Sequence, residues 1–136
     1  MKCIIDTNVL VSASLFPGSV PALAYRKAVS FPNYGMVCDY SVDEMRRVYH
    51  RKFPDKLWQM DAFLSTMLLS VTIISTPPEE ESVADEAAIR DIKDRPILRA
   101  AIKSDADVLI TGDRDFLESG LVHPVLIKPA AFLNLA

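Results

Sequence analysis

Residues 2–8 read Lys2-Cys3-Ile4-Ile5-Asp6-Thr7-Asn8, a short apolar run that ends at an acid. The run does not alternate polar with apolar side chains, so it predicts a strand that is covered on both faces. Similar apolar runs recur at residues 36–38, 71–74, 108–110 and 125–127. The chain therefore offers a series of buried strands, and the first of them carries Asp6 directly at its carboxyl end.

Helical patterns lie between these runs. We predict helices at residues 20–29, 42–53, 57–69, 97–103 and 130–135, with Ser41 capping the second and Pro96 in the first turn of the fourth. Strands that alternate with helices favour a parallel sheet flanked on both faces. The predicted fold class is α/β, a three-layer α/β/α sandwich with a central parallel sheet, in a single domain over residues 1–136.

Length and charge narrow the classes of protein to consider. The chain has 136 residues, which suits one domain. Its 15 Lys and Arg residues against 18 Asp and Glu residues give a net charge of −3, so its overall field does not attract nucleic acid. Any nucleic-acid site must therefore rest on a local cluster of basic residues.

The chain carries no pattern typical of a secreted or membrane protein. Cys3 and Cys38 each lie in an apolar run and are predicted to be buried free thiols. An acid at position 6 comes too early for a signal peptide. The uncharged stretch 8–25 is broken by Pro17 and Pro21, so it is too interrupted to span a membrane. We expect a cytoplasmic location and no membrane partner.

Four acids fall where an active site is expected. Ligands of open parallel sheets bind outside the carboxyl ends of the strands. Asp6 directly follows the first run, Asp113 follows the fourth, and Glu44 lies in the first turn of the helix after the second. Asp94 precedes the helix that leads into the fourth run. We expect that helix to begin at the opposite edge, so that the long segment 75–94 has to return Asp94 to the active edge.

Gathered carboxylates point to a metal. They repel one another and raise each other's pKa, and a hard divalent cation removes this repulsion. Oxygen ligands with water suit Mg²⁺ or Mn²⁺, and such a site binds phosphates.

Each of these acids also has a purely structural interpretation. Asp6 or Thr7 could cap the start of a helix, Ser41 and Glu44 match a capping box, and Asp94 could cap the helix that follows it. Asp113 could belong to a simple turn. The two interpretations do not exclude each other, because a carboxylate at a helix start can cap the helix and also bind a cation.

The chain resembles the PIN domain family. The matching segments are residues 4–10, 41–44, 91–94 and 108–117, the last of which reads Val-Leu-Ile-Thr-Gly-Asp-Arg-Asp-Phe-Leu. The resemblance implies an endoribonuclease on a parallel α/β/α sandwich that depends on one or two Mg²⁺ or Mn²⁺ ions and hydrolyses RNA to leave a 5′-phosphate. It is greatest to the VapC-related toxins of toxin–antitoxin pairs, which implies a small antitoxin partner and a homodimer.

The resemblance also implies roles for individual residues. The expected catalytic metal ligands are Asp6, Glu44, Asp94 and Asp113, with Asp115 as support or as a ligand of a second ion. Asn8 and Thr111 would orient the carboxylates or a metal-bound water. Asp91 competes with Asp94 for the third acidic position, and we choose Asp94 because it directly precedes a helix.

RNA needs positive charge near this acidic site. The basic residues expected to bind it are Arg46, Arg47, Arg95, Arg99 and Arg114, and Arg51 and Lys52 extend the same basic helix. Each of them could equally be an ordinary solvated residue.

The helix at 57–69 is more apolar than one buried face requires. Trp58 and Met67 on it are either core residues, contacts within a dimer or contacts for the antitoxin.

Two other functions remain open. A phosphatase of the haloacid-dehalogenase type also has an Asp directly after its first strand. Its mechanism requires a second Asp, as general acid, at the position where this chain has Asn8. Its late motif also differs in spacing from Gly112-Asp113-Arg114-Asp115. The remaining alternative is a catalytically inactive PIN-like binding module, which the intact set of acids disfavours.

Overall fold

A single parallel sheet forms the centre of the protein. The computed structural model describes residues 1–135. The strands are β1 (Lys2–Ile5), β2 (Tyr34–Cys38), β3 (Thr72–Ile74), β4 (Val108–Ile110) and β5 (Val125–Ile127). They pair in the order β3-β2-β1-β4-β5, and every pair is parallel. The predicted parallel sheet is therefore confirmed.

Helices connect the strands and cover the sheet. They are α1 (Thr7–Leu15), α2 (Val20–Ala28), α3 (Asp39–Lys52), α4 (Leu57–Ser70), α5 (Arg95–Lys103), α6 (Arg114–Leu117) and α7 (Pro129–Leu133). Short 3₁₀ turns lie at Pro54–Lys56, Glu79–Glu81, Ala84–Ala88 and Ile92–Asp94. Within residues 1–135 no single helix is long and apolar enough to cross a membrane; α1 and α2 pass together by length and composition, but a bend of 115° separates them.

The pleat of β1 divides the core into two layers. Cys3 and Ile5 point to one face of the sheet, where they pack among residues of α1, α2, α3, α4 and α7. Ile4 points to the other face, against residues of α5 and α6. Apolar side chains are buried on both faces, which explains the continuous apolar run and gives the predicted three-layer α/β/α sandwich. Cys3 and Cys38 are buried free thiols, as expected.

The outer strands depart from the prediction. β3 has two exposed residues and one half-buried residue, and β5 is also only partly covered. Both strands lie at the edges of the sheet. The expectation that all strands are covered on both faces is therefore wrong for β3 and β5, because an edge strand lacks a neighbour and the helices reach it only in part.

The strand order places a crevice between β1 and β4. The chain winds outward from β1 to β2 and β3, and then returns to β4 on the other side of β1. Connections therefore leave β1 and β4 in opposite directions, and a crevice opens at their carboxyl ends. The Asp6 N–H donates to the Ile110 carbonyl at 3.0 Å, which places the ends of the two strands side by side.

Candidate functional site

Asp6 is fixed where β1 turns into α1. Its Oδ1 accepts a hydrogen bond from the Thr7 N–H at 2.8 Å, and its Oδ2 accepts one from the Thr111 hydroxyl at 2.7 Å. The predicted N-cap at Asp6 is thereby confirmed. The pKa of this carboxyl is raised to about 7. Burial is the largest cause and the charges of Glu44 and Asp113 add to it, whereas both hydrogen bonds lower the pKa.

A series of hydrogen bonds orders the loop after β4. The Thr111 hydroxyl oxygen, which donates to Asp6, accepts from the Asp113 N–H at 3.0 Å. Asp113 Oδ1 in turn accepts from the Asp115 N–H at 2.8 Å and caps α6. One hydroxyl therefore links the two acids that follow neighbouring strands.

Asn8 joins the first turn of α1 to the same loop. Its Oδ1 accepts a hydrogen bond from the Gly112 N–H at 3.3 Å. The side chain thus lies beside both strand ends, at the wall of the crevice.

Asp94 is buried at the start of α5. Its Oδ2 has no hydrogen-bond partner among residues 1–135. Burial raises the pKa of its carboxyl to about 8, and the Asp113 carboxylate beside it adds to the rise. Asp94 is the N-cap residue of α5, but its side chain makes no capping hydrogen bond within the described part of the chain, so the expected bond is wrong. Asp91 caps the 3₁₀ turn that comes before α5, where it accepts from the Lys93 N–H at 3.0 Å. A buried carboxylate oxygen without a partner is an atom that a cation would satisfy.

The expectation that α5 begins at the edge of the sheet opposite the active site is also wrong. This helix follows β3 and precedes β4, and in a βαβ unit the connecting helix runs back antiparallel to the strands. It therefore begins at the carboxyl edge of the sheet, where Asp94 lines the same cleft as Asp6 and Asp113. The segment before it does not have to return Asp94 from the far side.

Glu44 lies in the second turn of α3, not in the first. The helix begins at Asp39 rather than at residue 42, so Ser41 is buried inside it and the predicted capping box is wrong. At this earlier start the Asp39 carboxylate accepts from the Tyr40 N–H at 2.7 Å and from the Thr76 N–H at 3.0 Å, which adds to its stability. Glu44 is half-buried and lines the cleft.

The acids surround one open cleft of about 650 Å³ at the carboxyl edge of the sheet. Its charged lining consists of Asp6, Glu44, Asp91, Asp94, Asp113, Arg51 and Lys52. The fold therefore brings together all four acids that the sequence analysis selected. It also brings Asp91, the competitor of Asp94, into the same cleft.

Asp115 belongs to a second grouping of carboxylates. Asp91, Asp94 and Asp115 each offer an oxygen, and these oxygens lie within 4.8 Å of one another. Asp115 Oδ1 also pairs with Arg90 Nη2 at 2.8 Å. The donors are carboxylate oxygens, which fit Mg²⁺ or Mn²⁺. The sequence did not predict the pairing of Arg90 with Asp115, because only the fold brings the two residues together.

Arg99 was expected to bind RNA, but the structure buries it in an ion pair with Glu86. Its side chain is 7% exposed, and its guanidinium donates to both carboxylate oxygens of Glu86, at 2.7 and 3.1 Å, and to the Pro77 carbonyl at 2.8 Å. Such a guanidinium has no free face for a phosphate. Arg95 is half-buried and donates to the Ile89 carbonyl at 3.0 Å. The other members of the set, Arg46, Arg47 and Arg114, are exposed.

The buried Arg99–Glu86 ion pair holds the long segment between β3 and α5. Glu86 Oε2 also accepts from the Val83 N–H at 2.6 Å. These bonds tie residues 77–86 to α5, just before the stretch that carries Asp91 and Asp94. The pair therefore helps to position one wall of the cleft.

Trp58 lies outside the core, so the expectation that it is a core residue is wrong. Trp58 is 71% exposed, whereas Met60 and Met67 are buried. Met67 is therefore a core residue and not a partner contact. Trp58 lines a second, mostly apolar cleft of about 470 Å³ between α1, α2 and α4.

Comparisons with known proteins agree with this architecture. The crystal structure of VapBC2 from Rickettsia felis, bound to a DNA fragment from their promoter, is similar with a TM-score of 0.70 at 16% identity, over 94% of this chain and 98% of that chain. Mycobacterium tuberculosis VapC20, a sarcin–ricin loop cleaving toxin, has a TM-score of 0.60 at 15% identity, over 88% of this chain and 96% of that chain. No curated protein matches the sequence. The PIN domain profile matches residues 2–115, a range that includes every acid of the cleft, and the chain therefore belongs to the PIN domain family.

Proposed function

We propose that this chain is a Mg²⁺- or Mn²⁺-dependent endoribonuclease of one domain, residues 1–136, and the toxin component of a toxin–antitoxin pair that acts in the cytoplasm. The observation that carries the proposal is the Asp94 Oδ2, a buried oxygen without a hydrogen-bond partner among residues 1–135, in a cleft lined by further acids. Several carboxylates so close together favour a bound cation at neutral pH.

Asp6, Glu44, Asp94 and Asp113 are the proposed ligands, directly or through water, for one or two ions. Asp115 supports Asp113 or binds a second ion. The burial of Asp6 and Asp94 supports this assignment, because burial makes their charged forms costly without a cation. The donor set, which contains only oxygen, suits both metals.

The proposed reaction is hydrolysis of an RNA phosphodiester that leaves a 5′-phosphate. A bound divalent ion would lower the pKa of a coordinated water and offset negative charge on the phosphate. The chain's own residues hold the acids in place: Thr111 and the Thr7 N–H restrain the Asp6 carboxylate, and the Asp115 N–H restrains Asp113. Arg51 and Lys52 supply positive charge in the cleft itself.

The toxin assignment rests on the likeness in fold to VapBC2 and VapC20. The proposed partner is a small antitoxin protein that covers the acidic edge of a homodimeric toxin. An Arg or Lys of that partner would relieve the same repulsion as the metal. The apolar cleft beside the exposed Trp58 offers it a second contact.

RNA cleavage by matched variants tests the nuclease. The wild type should cleave single-stranded RNA with Mg²⁺ or Mn²⁺ and not with EDTA. Asp94→Asn should be inactive and Asp91→Asn at least partly active. Asp43→Asn is the control, since it removes an exposed acid of α3 that does not line the cleft. Cleavage that survives EDTA, or an Asp94→Asn protein as active as the control, would contradict the proposal.

Expression in the native host tests the toxin assignment. Wild-type protein expressed without its partner should arrest growth, whereas Asp113→Asn should not, because the loss of a ligand removes the activity. Affinity capture from that host should recover the antitoxin with the protein. If a form that cleaves RNA in vitro is harmless and is recovered alone, the chain is a housekeeping nuclease.

A further inference from the structure

A small basic cavity of about 240 Å³ adjoins the acidic cleft. Its lining consists of Tyr40, Glu44, Arg47, Val48, Arg51 and Lys93. Glu44, Val48 and Arg51 also line the acidic cleft, so the two spaces share a wall. Arg47 and Arg51 lie one turn apart on the same face of α3. Lys93 comes from the 3₁₀ turn that ends at Asp94.

Among the described residues, the cations of this cavity make no salt bridge, although Glu44 also lines it. Within residues 1–135, no carboxylate oxygen lies within 4.0 Å of the charged groups of Arg47, Arg51 or Lys93, whereas Arg90 and Arg99 are both paired.

Arg47 is also held in place, since its guanidinium lies over the Tyr40 ring, 6.0 Å from the centroid. The three cations of the cavity repel one another, so an anion bound between them would be stabilised.

We propose that Arg47, Arg51 and Lys93 bind a backbone phosphate of the substrate RNA next to the phosphate that is cut. This inference rests on the proposed function, because the strand would pass from the basic cavity into the acidic cleft. The acids of the cleft repel the neighbouring phosphates of the strand, and cations on the adjoining wall offset that repulsion. The planar fork of arginine suits a phosphate in particular.

Equilibrium binding of a fluorescein-labelled single-stranded RNA tests the assignment. Arg47→Ala, Arg51→Ala and Lys93→Ala are each made in the Asp113→Asn background, which keeps the RNA uncut, and anisotropy is measured across a range of salt. Complete loss of this one phosphate contact should lower the magnitude of the slope of log K against log salt by about 0.7, which corresponds to roughly fivefold weaker binding at about 0.1 M salt. Because the three cations share the phosphate, each single variant should show a part of this loss. Lys56→Ala, which removes an exposed cation that lines neither space, should change nothing.

The outcomes separate this inference from the proposed function. If the wild type cleaves RNA but the three variants bind it like the Lys56→Ala control, the phosphate site is wrong and the nuclease stands. If the three variants lose affinity but the wild type cleaves nothing, the site stands and the nuclease falls. A protein that binds no RNA at all overturns both.

Discussion

The Arg99–Glu86 ion pair allows a sharp test of how the cleft wall is held. Glu86→Gln keeps the size of the side chain and removes its charge. The two side chains are 7% and 6% exposed, so the guanidinium would remain buried opposite a neutral amide. Breaking a buried pair by removing one partner costs about 3–5 kcal/mol. We expect a loss near 3 kcal/mol in the free energy of unfolding, because the amide oxygen and the Pro77 carbonyl can still accept from Arg99.

Urea unfolding and thermal melting measure this loss. For a chain of this size a loss of that order lowers the melting temperature by roughly 10 °C. Glu118→Gln is the matched control, because its partners Arg90 and Arg114 are 67% and 86% exposed and their N···O distances are 3.7 and 3.4 Å. Exposed pairs of this kind contribute less than about 1 kcal/mol.

The pH dependence supplies a second measurement on the same pair. Burial acts to raise the pKa of Glu86, but the hydrogen bonds from Arg99 and from the Val83 N–H outweigh it and lower that pKa. A carboxyl with a lowered folded pKa stabilises the protein above its unfolded pKa of about 4.3, and this stabilisation is lost as pH falls through the folded pKa. The difference in the free energy of unfolding between wild type and Glu86→Gln should therefore be largest at neutral pH and decrease as the pH falls. A loss below 1 kcal/mol at neutral pH, or one that stays constant into acid, would refute the reasoning.

Other features give further predictions. A large excess of Mn²⁺ should raise the melting temperature of the wild type and not that of Asp113→Asn, as measured by calorimetry. The reason is that a ligand that binds only the folded state adds about 2.7 kcal/mol to the free energy of unfolding at a hundred times its Kd. Equal shifts for the two proteins would count against the metal site. Both cysteines should react with a thiol reagent only on unfolding, since burial raises the pKa of each thiol to about 11; fast labelling of the folded protein would disagree. Gly35→Ala should cost about 1–3 kcal/mol in urea unfolding, because its new Cβ would lie 2.9 Å from Val29 Cγ1. Gly18→Ala meets nothing within 4 Å and should be neutral.

The sequence predicted the central strands better than the helix starts. β1, β2 and β4 are buried on both faces, so their apolar runs locate them to within two residues. The run at residues 71–74 looks the same but forms a largely exposed edge strand, because an apolar run does not say which neighbours a strand will have. The start of α3 was missed because its first residue, Asp39, is bonded to Thr76, which follows β3 and lies 37 residues away along the chain.

The sequence by itself determined the α/β sandwich, the PIN resemblance and the set of acids, because these depend on local order along the chain. An acid after a buried strand lies at a sheet edge whatever the rest of the chain does. Only the tertiary structure decided that β1 lies beside β4, so that Asp6 and Asp113 share the Thr111 hydroxyl. It also decided that Arg99 is buried against Glu86, while Arg51 faces the cleft. Burial and pairing depend on which distant residues meet, and a helical pattern of basic residues carries no information about that.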